Sequence, residues 1–429
     1  MRIGIDLQGL QSEGSRTRGI GRYSLEIIRH LIKESPKDYF VLIANASLTN
    51  LEDLFISELS QNNVSYFEWS SPCPFDYLSR NQNLYELALY IKSYSCSCLQ
   101  LDIVIITSFL EGFSENSLIE YDRDLIDVKI LSIFYDLIPI LNPELYFKDN
   151  LEFEKFYRNK LKRLTEVDGL LAISKSSAKE ASDYLGFDTN FVFNISSACD
   201  REIFNTIRLI TPSDLIKPIL ENPFLLYTGA GDLRKNLKGL LEAYSLLPSE
   251  FKNFKLVLAG KLIQPERELI DTWIKDFSID PTNVIQTGYV SDDDLVVLYR
   301  LCHLFVFPSF HEGFGLPVLE AMSCGAAVIG SEVTSIPEVI SYSEAMFDPS
   351  DTNSIKQLIL KVLKNNKFRD QLVVNSKLQC ERFSWSNTAK AIMRACLKVT
   401  AANYKQLPDN SYQFISQNNN KNLEKLFFK

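Results

Sequence analysis

The sequence predicts an α/β protein built from two doubly wound parallel-sheet domains, and three observations carry that prediction. Its 429 residues exceed one ordinary domain. Short apolar runs of strand length alternate with amphipathic helical stretches along nearly the whole chain, the pattern of a parallel sheet covered on both faces. That alternation weakens once, over residues 200–223, where three prolines fall among polar residues, and then restarts.

Taken in order, residues 3–7 read as a buried strand, followed by a loop over residues 8–18 rich in Gly, Ser and Arg. A helical pattern opens near Gly19, with Tyr23, Ile27, Leu31 and Ile32 on one face. Strands are expected at 39–44, 64–69, 103–107 and 128–134, with a helix at 78–94. An amphipathic helix at 152–165 precedes a strand at 169–173 and a helix at 176–184. The second half places strands at 224–228, 255–259, 284–287, 304–307 and 326–329, each leading into a helical segment. Helices at 353–364 and 368–382 follow, and residues 384–399 form a last amphipathic helix. The resulting division is a first domain over 1–205, a second over 206–382, a helical stretch over 383–400 and a polar tail over 401–429. The tail is rich in Asn, Gln and Lys and reads as mobile.

Composition narrows the function. With 46% hydrophobic and 23% charged residues the chain is that of a globular protein able to bury sizeable cores. A net charge of −9 argues against a dedicated nucleic-acid binder, whose affinity would come from Lys and Arg at phosphates. The eight cysteines form no disulfide framework and no C-x2-C zinc pattern; Cys302 and Cys324 lie in apolar runs as small core residues. A reduced, cytoplasmic setting fits best, with neither a signal-like apolar segment at the N-terminus nor a run of about 18 apolar residues. Lys155, Arg158, Lys160, Lys162 and Arg163 share a helix with Phe153, Phe156, Tyr157, Leu161 and Leu164. Such a face would allow peripheral contact with anionic lipid at the inner membrane face, although a solvated exterior is the commoner explanation. His30, His303 and His311 have no metal-ligand spacing, so no metal is expected, and neither a G-x-S-x-G elbow nor a Walker-type loop is present.

Four stretches could carry chemistry. Residues 310–325, FHEGFGLPVLEAMSCG, pass from a strand through Gly313 and Gly315 into a helix, with Glu312 and Glu320 separated by seven residues. A helix start of this kind offers unpaired N–H groups and partial positive charge to a phosphate, but two glutamates at this spacing also fit a solvated helix start. Gly19-Ile20-Gly21-Arg22-Tyr23 opens the first helix after the first strand; glycines there serve either phosphate approach or the turn alone. Tyr227-Thr228-Gly229 and Arg234-Lys235-Asn236 make another strand–loop–helix junction, whose adjacent cations would clamp a diphosphate unless they are simply solvated. Tyr135-Asp136 ends a first-domain strand, where ligands meet parallel sheets, with a plain turn residue as the alternative for Asp136.

The EGFGLPVLEAMSCG segment resembles the E-x7-E region of retaining glycosyltransferases of family four, which have the GT-B fold. Ser335-Ile336-Pro337-Glu338-Val339 and Phe383-Ser384-Trp385 extend the match, and GIGRY resembles the family's first glycine-rich loop. The resemblance implies two Rossmann-like domains facing across a cleft, with the C-terminal helix crossing back to the first. It implies that Glu320 binds the ribose hydroxyls, that Glu312 lies beside the donor sugar, and that backbone N–H groups of Phe314, Gly315 and Leu316 face the sugar and phosphates. Gly19, Gly21, Arg22 and Gly229 would also lie on the donor. Lys235 falls on the family's lysine position, while Ala230 occupies the usual arginine position and Arg234 would supply the missing charge. Tyr135 replaces a histidine near the transferred sugar; a tyrosine can donate a hydrogen bond there but is a poor proton shuttle.

The expected activity is therefore retaining, metal-independent transfer of a hexose, mannose first, from a sugar nucleotide to a hydroxyl of a glycan or lipid-linked acceptor in cell-surface polysaccharide or glycoconjugate synthesis. Glu312, Lys235, Arg234, Asp136 and Tyr135 are the catalytic candidates. No cofactor is expected; GDP-mannose or a UDP-sugar is the substrate. A sugar-nucleotide epimerase of the same fold and a non-catalytic sugar-nucleotide-binding protein are the alternatives.

Overall fold

The computed structural model describes residues 1–16, 19–74, 76–77, 81–229 and 231–402. The predicted helix start at Leu78, Ala230, and nearly all of the polar tail lie outside the described residues. The chain forms two compact units, the first holding residues 1–197 with the segment from Trp385, the second residues 198–384.

The first unit is a seven-stranded sheet in the order β3-β2-β1-β4-β5-β6-β7, every neighbouring pair parallel. Its strands are β1 (Arg2–Asp6), β2 (Tyr39–Asn45), β3 (Val64–Trp69), β4 (Ile103–Ile106), β5 (Lys129–Phe134), β6 (Gly169–Ala172) and β7 (Val192–Asn194). Apart from Arg2 at the start of β1, the strands β1, β4 and β6 are buried because helices cover both faces, which is why their sequence is a continuous apolar run rather than an alternating one. The Gly19–Glu34 helix buries Tyr23, Ile27, Ile28, Leu31 and Ile32, the stripe its spacing predicts. The Trp385–Ala401 helix returns to this unit. Its Trp385 ring meets Tyr23 edge-on at 5.1 Å, and Lys390 pairs with Glu34 at 3.2 Å.

The second unit is a six-stranded parallel sheet ordered β10-β9-β8-β11-β12-β13. Here the strands are β8 (Phe224–Thr228), β9 (Lys255–Ala259), β10 (Val284–Gly288), β11 (Leu304–Phe307), β12 (Val328–Ser331) and β13 (Met346–Phe347). The order reverses beside β8 and β11, the switch point outside whose carboxyl ends open α/β sheets bind ligands.

Several expectations need correction. Residues 8–16 are not loop but two helical turns, Gln8–Gln11 and Glu13–Arg16. Tertiary packing makes them: a Cβ on Gly9 would stand 2.6 Å from the Ser108 Cβ. The strand expected at 326–329 begins at Val328, because Gly325 at φ +82° turns the chain and Ala326 is still bonding back to Ala321. Residues 200–213 are not slack: Phe204 is buried against Tyr299, the Arg300 guanidinium donates to the carbonyls of Asn205 and Arg208, and Ser213 donates to Asp294. These contacts tie the stretch to the second unit, so the division falls at 197/198.

The cationic face on the Leu151–Leu164 helix is also smaller than expected. Lys160 points inward, only 4% exposed, and pairs with Glu120 at 3.0 Å, while Arg158 pairs with Glu154 at 2.7 Å. All eight cysteines are free thiols. Among the described residues no helix is long and apolar enough to cross a membrane.

Candidate active site at the strand ends of the second unit

Three loops leave the carboxyl ends of β8, β11 and β12 and interlock. After β8, Gly229 takes φ +149° and bonds through its N–H to Ala259; a Cβ on the neighbouring Gly260 would collide with the Gly229 carbonyl, so two glycine backbones pass where side chains cannot. A short turn follows. The Asp232 carboxylate caps the Arg234 N–H at 2.9 Å, and Asn236 adopts a left-handed conformation, φ +55°. The Asn236 side chain caps the Leu237–Ser245 helix and donates to the Pro308 and Pro349 carbonyls, pinning the turn to the end of β11.

That pinning brings Arg234 and Lys235 onto Glu312. Lys235 Nζ lies 2.6 Å from Glu312 Oε1, and an Arg234 guanidinium nitrogen lies 3.0 Å from Oε2 and donates to the His311 carbonyl at 2.8 Å. Burial works against the Glu312 charge, but Lys235 and then Arg234 outweigh it and hold the carboxyl at about 2. Glu312 is therefore an anion at neutral pH and has no proton to give. Burial in turn pushes the Lys235 ammonium down, opposed by Glu312 and reinforced by Arg234. A buried cation in this state gains from any anion that reaches it.

The Glu312 loop is held from the β12 side. Thr334 Oγ1 accepts the Glu312 N–H at 3.1 Å, and Ser335 Oγ donates to the Glu312 carbonyl at 2.9 Å. The chain then enters the Leu316–Ser323 helix through Gly315 at φ +98°, a position where a Cβ would stand 2.6 Å from Ile336 Cδ1. Gly315 caps the helix without a side-chain hydrogen bond; Pro317 has no N–H and the Val318 N–H bonds back to the Gly315 carbonyl, so the Leu316 N–H is the donor that the helix start offers. Phe314 is buried edge-on to Phe383 at 5.6 Å, and Leu316 is half-buried. Glu320 sits in the second turn of the helix and accepts a hydrogen bond from the Tyr299 hydroxyl at 3.2 Å.

The structure thus gathers Gly229, Arg234, Lys235, Glu312, Phe314, Gly315, Leu316 and Glu320 at adjoining strand ends of one unit. The remaining candidates belong to the other unit. There Gly21 is buried in the Gly19–Glu34 helix, and a Cβ would collide with the Arg16 carbonyl, so its immediate need is close packing; Gly19 and Arg22 are exposed. Tyr135 lies beside that helix, its hydroxyl donating to the Thr107 carbonyl at 3.1 Å and 3.3 Å from Ser24 Oγ. Burial pushes the Tyr135 phenol far above its ordinary value. Asp136 accepts the Ile138 N–H at 3.0 Å, the bond of a turn cap. Sequence reasoning missed Tyr299 and Thr334, and it named Thr228, Asn236 and Ser335 only as parts of motifs, without a role of their own. Only Asn236, polar at a helix start, carried a usable signal. Among the described residues, no group of three or more His, Cys, Asp or Glu side chains could hold a metal ion.

Two Rossmann-like units with these junctions define a GT-B protein, and solved structures agree on the fold. HepE of Anabaena, in complex with UDP and glucose, superposes with a TM-score of 0.63 at 15% identity, over 92% of this chain and 98% of that one. Sucrose-phosphate synthase of Thermosynechococcus elongatus gives 0.66 at 16% identity over 92% and 98%. The family model described as glycosyl transferases group 1 matches residues 216–379. The serotype-specific mannosyltransferase WbdA of Escherichia coli is 37% identical over 400 residues, 91% of this chain and 47% of that protein, so the chain spans about half the length of these relatives. The O-antigen chain mannosyltransferase B of Escherichia coli is 31% identical over 284 residues, 62% of this chain and 70% of that protein. The chain belongs to the group 1 glycosyl transferases.

Proposed function

We propose that the chain is a retaining mannosyltransferase, taking mannose from GDP-mannose to a hydroxyl of a glycan or lipid-linked acceptor in surface-polysaccharide synthesis. The observation that carries this reading is the meeting of Arg234, Lys235 and Glu312 at the switch point of the second sheet. The names of the relatives, a serotype-specific mannosyltransferase and an O-antigen chain mannosyltransferase, support the sugar and the setting.

In this reading Lys235 and Arg234 take the diphosphate, with the uncapped start of the Leu316–Ser323 helix facing the same anion. Both cations are already desolvated, so an incoming phosphate meets them without much further loss of hydration. Glu320 accepts the two ribose hydroxyls. The bond between the sugar C1 and the diphosphate oxygen breaks, and the acceptor oxygen bonds C1 on the same face. The acceptor proton passes to the departing phosphate, giving glycosylated acceptor and GDP. Glu312, anionic throughout, steadies the positive charge that builds on the sugar. Tyr135 keeps its proton, and to donate it to a sugar hydroxyl it exchanges its bond to the Thr107 carbonyl for that contact. No cofactor takes part, and the cations do the work of a metal at the leaving group.

A panel of GDP- and UDP-sugars in the presence of EDTA tests this. Slow hydrolysis of GDP-mannose, or its transfer to an O-antigen-type mannan primer, is the expected result. Binding of nucleotides with neither hydrolysis nor transfer of any donor would overturn it.

A further inference from the structure

We infer that Tyr299 is a positioning residue that fixes the Glu320 carboxylate for recognition of the nucleotide ribose. The inference rests on the donor-site reading above and assigns a role to a residue outside the loops that form that site. Tyr299 lies on the Asp292–Leu301 helix, a different element from the one that carries Glu320. Its side chain is completely buried, edge-on to Phe305 at 5.4 Å and to Phe204 at 6.3 Å.

The hydroxyl is what the packing alone does not explain. A phenylalanine would fill the same space, and a buried hydroxyl costs stability unless it is bonded. This one is bonded on both sides: it donates to Glu320 Oε2 at 3.2 Å and lies 3.3 Å from Thr228 Oγ1 at the end of β8. A phenol has a single proton. With that proton given to Glu320, Thr228 must be the donor to Tyr299, which sets the direction of the chain as Thr228 to Tyr299 to Glu320. Burial, and then the Glu320 charge, push the phenol far above its ordinary range, so the proton stays in place.

The consequence is a carboxylate whose plane is set from the sheet. Glu320 stands on an eight-residue helix, and a carboxylate turns readily about its last bond except where its oxygens are held. A vicinal diol needs two acceptors at fixed spacing, and a carboxylate with one oxygen tied presents them in one orientation. Tyr299 supplies that restraint from the Asp292–Leu301 helix, and Thr228 supports it from the end of β8.

The test compares GDP and UDP with their 2′,3′-dideoxy counterparts by calorimetric titration, in the wild type, Tyr299→Phe and Thr228→Val. The wild type should prefer the ribose form. Tyr299→Phe keeps the ring and should weaken the ribose form by about fivefold while leaving the dideoxy form unchanged; Thr228→Val should act in the same direction, less strongly. Equal weakening of both forms, or no change in either, would overturn the inference and leave the donor site standing. A wild type that binds ribose and dideoxy forms alike removes the ribose role of Glu320, and the inference with it. A wild type that binds neither GDP nor UDP removes the donor site itself.

Discussion

In the first unit, Asp6 at the end of β1 meets Lys92 at 2.8 Å with both side chains sealed from solvent; in the second, Lys235 meets Glu312 at 2.6 Å with about a tenth of each exposed. Both pairs sit at carboxyl ends of parallel strands, where such sheets bind ligands. Their surroundings separate them. Lys92 gives its three protons to Asp6, the Leu118 carbonyl and the Ile119 carbonyl, and Asp6 also accepts from Tyr121 and Gln8. Every donor is spent, so nothing is left for a ligand. Glu312, by contrast, is shared by two cations and comes from a loop that Thr334 and Ser335 hold by its backbone. Its side chain can exchange partners without dismantling the loop. Position on the sheet proposes a site; whether the local charges are already exhausted decides it.

The largest expected effect breaks the sealed pair. Lys92→Met leaves Asp6 buried without its cation and should destabilise the protein by about 3–5 kcal/mol, read from urea unfolding. Nucleotide affinity of the protein that remains folded should not change. A loss below about 1 kcal/mol would mean that the pair is not the structural element described. Next, Lys235→Ala should lower turnover of GDP-mannose by about 10²–10³, the cost of removing one charged group from a leaving-group site. Its unfolding midpoint should shift less than that of Lys92→Met. A fall in turnover of less than tenfold breaks the contrast between the two pairs.

Acid sharpens the comparison further. Glu312 is held at about 2 against an ordinary 4.5. A depressed carboxyl contributes stability that is complete above its unfolded value and is lost as pH falls through its folded one. The second unit should therefore lose of the order of 3 kcal/mol as pH drops through that interval. Glu312→Gln should remove that dependence from the unfolding curve, at the expense of stability near neutrality; an unchanged acid slope would contradict the assignment. The smallest effect separates the two glutamates. Glu320→Ala should weaken nucleotide binding about tenfold with turnover at saturation little altered, whereas Glu312→Ala should lower turnover more than affinity.

Much of this was legible in the sequence because parallel strands buried on both faces are apolar runs with clear ends. Residues 224–228 and 304–307 are strands in both the reading and the structure. Helix faces such as Tyr23, Ile27 and Leu31 follow from periodicity alone. What failed depended on distant partners. Lys160 reads as surface charge until Glu120 is found beneath it, and the turns at Gln8–Gln11 exist because other strands' loops pack on them. Ala326 and Ala327 are apolar enough for a strand, yet the turn at Gly325 delays it. In the site, Glu312, Lys235 and Arg234 were identifiable as chemistry-bearing types at strand ends, but their mutual contact was not. Tyr299 left no trace: a tyrosine on the buried stripe of a helix looks the same whether its hydroxyl is idle or holds a carboxylate.

The central claim is that the Arg234–Lys235 pair binds a diphosphate. Calorimetric titration of GDP against GMP, in the wild type and in Lys235→Ala, tests it most directly. The expected result is a marked preference for GDP in the wild type that largely disappears in the variant, with GMP binding nearly unchanged. A wild type indifferent to the second phosphate, or a variant that keeps the full preference, would contradict it.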